Sequence, residues 1–147
     1  MRSRRLLIIS SLVALLLTSA WAPAEADAHT HQRARVLRLV NDVRARHGLK
    51  RLDLNRKLSR YATRHSRRMS EQRRLFHSTD LGSRLRTYKA SWWGENLAYG
   101  GKLYPIVRAW MNSPSHRVNI LNRRFRKTGI GVVRVGGWFW VTQTFYG

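Results

Sequence analysis

The sequence predicts an α+β domain in which helices come early and a buried antiparallel hairpin closes the chain. Two stretches between residues 32 and 74 place apolar side chains at helical spacing. Two β-branched and aromatic runs, 130–135 and 138–146, flank Gly136-Gly137, a tight-hairpin signal. A length of 147 residues with no cysteine allows one domain, held by packing rather than by disulfides.

The first helix is expected from about Gln32 to His47. Val36, Val40 and Val43 recur with Leu37 and Leu39 beside them, and Gly48 is a natural stop. The second starts after Asn55, a good N-cap, and runs to about Arg74. Leu54, Leu58, Tyr61, Ala62, His65 and Met69 share its apolar face. Arg56, Arg60, Arg64 and Arg67 form a stripe on the other side, with Glu71 the one acid of the helix. Such a stripe is usually a solvated face; with so little acid to neutralise it, it is also a candidate anion-binding surface.

Residues 75–101 read as irregular, with a short strand at 95–98 among several glycines. A third helix is expected over Tyr104–Asn112, broken by Ser113-Pro114, with a helical turn from His116 to Leu121. On the last strand Trp138, Trp140 and Tyr146 face one way, Phe139, Val141 and Phe145 the other. Apolar side chains on both faces require cover on both faces, hence a layered sandwich.

The N-terminus has the form of a secretory signal. Arg2, Arg4 and Arg5 precede an apolar run from Leu6 to Leu17, and Ala26-Asp27-Ala28 offers a small-x-small cleavage site. The run is shorter than the roughly 20 apolar residues of a membrane span. The expected organisation is therefore a signal peptide at 1–28 and a secreted domain at 29–147, without a transmembrane anchor after cleavage.

The net charge of +22 favours anionic partners. Nucleic acid is one, but an exported protein meets lipid headgroups and wall polymers first, so charge alone names no partner.

Carboxylates are scarce: none follows Glu95. His77, Glu95 and His116 are the donor set of a catalytic-type zinc site, although their spacing matches no local ligand motif and three unrelated surface or capping residues would look the same. His65, on the apolar face, reads as a core histidine, and Trp92-Trp93 as packing anchors. Ser78, Ser113 and Ser115 lie near histidines in sequence. Without a Gly-x-Ser-x-Gly elbow or a later acid, nucleophilic serine chemistry is discounted.

Four segments taken in order resemble the CAP superfamily of cysteine-rich secretory, antigen 5 and pathogenesis-related proteins, in particular its bacterial secreted SCP-like branch. They are Phe76-His77-Ser78, Gly94-Glu95-Asn96-Leu97-Ala98, Trp110 through Arg117, and Trp140 through Phe145. The resemblance spans 29–147 and implies a three-layer α-β-α sandwich with a central cavity. In animal and plant members the cavity carries two histidines and two glutamates and can bind a divalent metal. By position His77 and Glu95 match the first of each. Ser113 stands at the second glutamate's place and Trp140 at the second histidine's, so the tetrad is incomplete, and His116 is the candidate substitute. On this carry-over a zinc or other divalent ion would be held by His77, Glu95 and His116, with Ser113, Asn96, Trp140 and Gln143 lining the cavity.

The preferred reading is a monomeric, secreted ligand-binding module for a lipid or anionic envelope component, without specific nucleic-acid recognition. One alternative is a metal-dependent hydrolase or peptidase using the same cavity; another is a charge-driven polyanion binder.

Overall fold

The computed structural model describes residues 22–147, with side chains described from His29 onward. The expected signal therefore lies outside the described residues, apart from the helical backbone of 22–28.

Helix α1 (Ala22–Arg46) starts ten residues earlier than the apolar period suggests. Its first turns hold four alanines, the residue of highest intrinsic helix propensity. Helix α2 (Arg56–Glu71) begins as expected: the Asn55 side chain accepts from the Leu58 amide at 2.9 Å. The remaining elements are β1 (Asp53–Leu54), α3 (Leu81–Arg86), β2 (Trp93–Gly100), α4 (Leu103–Asn112), α5 (Pro114–Ile120), β3 (Lys127–Val135) and β4 (Trp138–Tyr146).

The strands form one sheet in the order β1-β3-β4-β2, with β1 parallel to β3 and the other pairs antiparallel. Val36, Val40 and Val43 of α1 and Leu103, Ile106, Val107 and Trp110 of α4 pack on Ile130, Val132, Val141 and Phe145 of one sheet face. Leu58, Tyr61 and Met69 of α2 cover the other, joined by Leu81, Leu85, Leu97, Trp140 and Tyr146. The alternation expected for β4 holds, and the architecture is the three-layer α-β-α sandwich.

Two glycines set the spacing between α2 and β3. A Cβ on Gly131 would lie 2.2 Å from the Ala62 carbonyl carbon, and one on Gly129 within 2.6 Å of Leu58. The helix backbone thus rests directly on the strand, a contact that no other residue permits.

Strand β2 is a sheet edge, and its outer carbonyls are capped by side chains. Trp110 Nε1 donates to Leu97 O at 3.0 Å and Asn119 Nδ2 to Glu95 O at 3.3 Å. This satisfies groups that an open edge would offer to another strand.

Arg44 is fully buried and donates to the carbonyls of Lys50, Ile120, Asn122 and Phe125. Its guanidinium ties the ends of α1 and α5 to the loop entering β3. Burial and the nearby Arg126 lower its pKa.

Candidate functional site

The site grows from the edge strand and the loop after α2. Register pairs Trp93, Glu95, Leu97 and Tyr99 with Tyr146, Thr144, Thr142 and Trp140. Paired residues share a face, so Glu95 points to the α2 side of the sheet. The chain leaving α2 turns at Arg73, whose φ of 49° is left-handed, and is fastened by His65. That buried imidazole meets the Phe76 carbonyl through Nε2 at 2.7 Å, while Arg68 donates to its Nδ1 at 3.1 Å. This fixes the neutral tautomer with the proton on Nε2. His65 is the satisfied core histidine the sequence suggests, and it also positions the residue before His77.

Glu95 receives three donors. Ser78 gives its backbone N–H to Oε1 at 2.9 Å and its hydroxyl to Oε2 at 2.6 Å, and His77 Nδ1 lies 2.8 Å from Oε1. The carboxylate side chain is 5% exposed and the imidazole 69%. Charge-assisted bonds of this kind replace the water lost on burial. With Nδ1 held by the carboxylate, the His77 side chain still stays largely exposed.

His116 comes from the far side of the edge strand. Asn96, one residue from Glu95 and so on the opposite face, donates to His116 O at 3.0 Å and accepts from Asn119 at 2.8 Å. These bonds clamp α5 against β2. A Cβ on Gly94 would lie 2.5 Å from Asn119 Oδ1, so a larger residue there has to displace the Asn119 side chain. His116 Nδ1 lies 2.7 Å from Ser113 Oγ, which is 3.2 Å from Ser115 Oγ. Burial, and then repulsion from His77, lower the His116 pKa.

The polar network continues behind Ser78 into residues that the sequence did not single out. Tyr61 donates its phenol proton to Asp80 Oδ1 at 2.5 Å, and Arg84 bonds Asp80 Oδ2 at 3.3 Å while lying over the Tyr61 ring. Burial and the Asp80 bond push the Tyr61 pKa up to about 12, with Glu95 adding to the effect and Ser78 opposing it. The Tyr61 hydrogen bond holds the Asp80 carboxyl below its usual range. In the sequence Tyr61 is only one more residue of an apolar face; the signal was its hydroxyl, which needs a partner once buried.

The expected metal ligands do not assemble as a set. His77 and Glu95 meet, but both oxygens of Glu95 are engaged by Ser78 and His77, and His116 binds Ser113 instead. Among the described residues no group of three or more His, Asp or Glu is arranged to hold a metal ion. The donors present do not fit a resident divalent ion in this arrangement.

The expected cavity lining is also corrected. Asn96 and Gln143 pair with each other on the opposite face from Glu95 and are fully buried; Gln143 donates to Thr128 Oγ1 at 3.3 Å. Trp140 does share the Glu95 face, four residues along β4 from Glu95's partner Thr144, and Ser113 borders the site through His116. Arg56, Arg60, Arg64 and Arg67 are all exposed along α2, on its outer side as expected.

The sequence profile of the CAP, or cysteine-rich secretory protein, family matches residues 37–145. The chain belongs to this family. As a CAP domain it is 37% identical over 139 residues to the Bacillus subtilis protein YkwD, an alignment covering 88% of this chain and 51% of that one. It is 32% identical to the B. subtilis membrane protein YlbC over 71% of this chain and 32% of that one. This CAP domain thus spans about half or less of the curated relatives it matches. Among solved structures it resembles an extracellular SCP-domain protein of Bacillus anthracis, with TM-score 0.68 and 27% identity over 84% of this chain and 43% of that one. An outer surface protein of Borrelia burgdorferi shares the fold at TM-score 0.70 and 23% identity, over 79% and 92% of the two chains. The bacterial SCP-like type expected from the four segments is the type these relatives represent.

Proposed function

We propose that this CAP domain is a ligand-binding module working outside the cytoplasm, and that the His77–Glu95–Ser78 cluster, with His116 beside it, contacts a lipid or cell-envelope ligand. The observation that carries this reading is the buried Glu95 carboxylate, locked by three donors, which aims an otherwise exposed imidazole at solvent. A surface histidine needs no such support, whereas a preorganised contact does. The location rests on the extracellular description of the similar B. anthracis protein and on the signal-like N-terminus. Among the described residues no helix is long and apolar enough to cross a membrane.

The test is native mass spectrometry of the purified protein after exposure to a bacterial lipid extract and, separately, to soluble wall fragments. A retained adduct is expected with one of them, lost in His77→Ala and Glu95→Gln while both variants keep the parent's circular dichroism. No adduct with either mixture, or an adduct indifferent to both substitutions, refutes the reading.

One observation favours a second reading, a hydrolase. A carboxylate bonded to one imidazole nitrogen is how a general base is oriented, and Glu95 does this for His77. Turnover of chromogenic ester and peptide substrates decides: activity lost in both His77→Ala and Glu95→Gln supports it, and no turnover by the parent removes it.

A further inference from the structure

Four strongly exposed apolar side chains meet at one end of the sheet. Leu75, Tyr99, Val135 and Trp138, each between 42% and 54% exposed, line a single groove of about 520 Å³ with Trp140 in its wall. They arrive from three places: the loop after α2, the end of edge strand β2, and the β3–β4 hairpin. The aromatic members form one cluster: Tyr99 stacks on Trp140 at 5.2 Å and lies 5.4 Å from Trp138. The hairpin turn beside it is built on Gly136 and Gly137, at φ 57° and 83°.

The rim is cationic. Arg73 lines the groove, Arg74 beside it lies over Phe76, and both are exposed. Glu71 is the only acid within the neighbouring sequence, and the β3–β4 hairpin has none.

We propose that this end of the sheet docks on an anionic phospholipid bilayer. Trp138, Val135 and Leu75 enter the boundary between headgroups and acyl chains, and Arg73 and Arg74 meet lipid phosphates. The aliphatic members decide the partner. A stacking platform for bases or sugar rings has no use for an exposed leucine and valine, which offer neither a flat π-face nor a hydrogen bond. A bilayer accepts both: aliphatic groups gain by leaving water, tryptophan and tyrosine suit the headgroup level, and basic residues gain from the negative surface potential. Contiguous exposed apolar area ringed by polar groups is the mark of such a surface. None of the residues lining the groove is His77, Glu95, Ser78 or His116, and the proposal does not depend on the ligand proposed for that cluster.

The test is sedimentation of the full protein with vesicles of phosphatidylglycerol and phosphatidylcholine, against vesicles of phosphatidylcholine alone. Parent and variants carry the same N-terminus, so differences between them report on the groove. The expected result is preference for the anionic vesicles, with partitioning reduced about tenfold or more in Trp138→Ser with Val135→Ser. Leu75→Ser, in a loop outside the sheet, should reduce it in the same direction without touching the hairpin. Arg73→Ser with Arg74→Ser should flatten the dependence on salt, and Val118→Ser, an exposed apolar residue of α5 outside the groove, should bind vesicles like the parent. Groove variants that partition like the parent overturn the proposal. So does loss of binding only when Arg56, Arg60, Arg64 and Arg67 are replaced, or a groove that captures single-stranded DNA or wall polysaccharide in preference to vesicles.

Discussion

Glu95 has little water around it, and the Ser78 amide, the Ser78 hydroxyl and His77 stand in for that water. His116 is the complementary case, a base whose charged form is disfavoured by burial and by a neighbouring imidazole. Its folded pKa lies below its unfolded value, so the unfolded chain takes up the proton first as pH falls. Stability should therefore be full above the ordinary imidazole range, decline as pH drops through about 6.5, and level off below the folded pKa. Urea unfolding followed across this range in the parent and in His116→Asn checks it. The variant should lose that part of the acid slope, and an unchanged slope would assign the loss to other groups.

Among the elements, α2 and β3 make the closest contact, and it depends on the absence of side chains. Gly131→Ala would set a methyl carbon 2.2 Å from the Ala62 carbonyl carbon. Relief requires backbone movement, so a destabilisation of about 3 kcal/mol or more is expected, measured as a lowered urea midpoint at unchanged m-value. Gly48→Ala is a useful contrast: its φ is 65° but nothing lies within 4 Å of the added carbon, and the cost should stay near about 1 kcal/mol. The same close contact holds α2 on the sheet, and through His65 and Phe76 it sets where His77 can lie.

The whole molecule carries far more positive than negative charge, +22 over 147 residues, and its described arginine–carboxylate pairs are Arg51–Asp42 and Arg84–Asp80. Self-repulsion opposes the compact state. Raising salt from ~20 mM to ~0.5 M, which shortens the screening length to a few ångströms, should raise the thermal midpoint. Sulfate should do more than chloride if anions settle on the α2 stripe. A midpoint that falls with salt would mean that attractive pairs outweigh the repulsion.

Some of this was legible in the residues because it depends on near neighbours. The Asn55 cap, the apolar faces of α1 and α2, the Gly136-Gly137 hairpin and the two faces of β4 each follow from spacing within one segment. So did the family resemblance, which runs on four local motifs. Helix α3 was not legible: six residues with a glycine have weak propensity, and Leu81 and Leu85 are held by Tyr61 and Tyr146 from elsewhere. Nor was the partnership of Glu95, whose donors follow another element, or the side of the sheet on which Asn96 and Gln143 lie. A side chain's face on a strand is a matter of parity, but which strand it pairs with and what covers it are long-range facts. Periodicity and composition suffice for the layers, the helix and hairpin patterns and the stock of chemical groups, since each is a property of short segments. That Glu95 is consumed by Ser78 and His77, rather than left open to a metal, follows from the folded arrangement alone. Hydrogen-bond geometry between distant segments exists only once register and packing have brought them together.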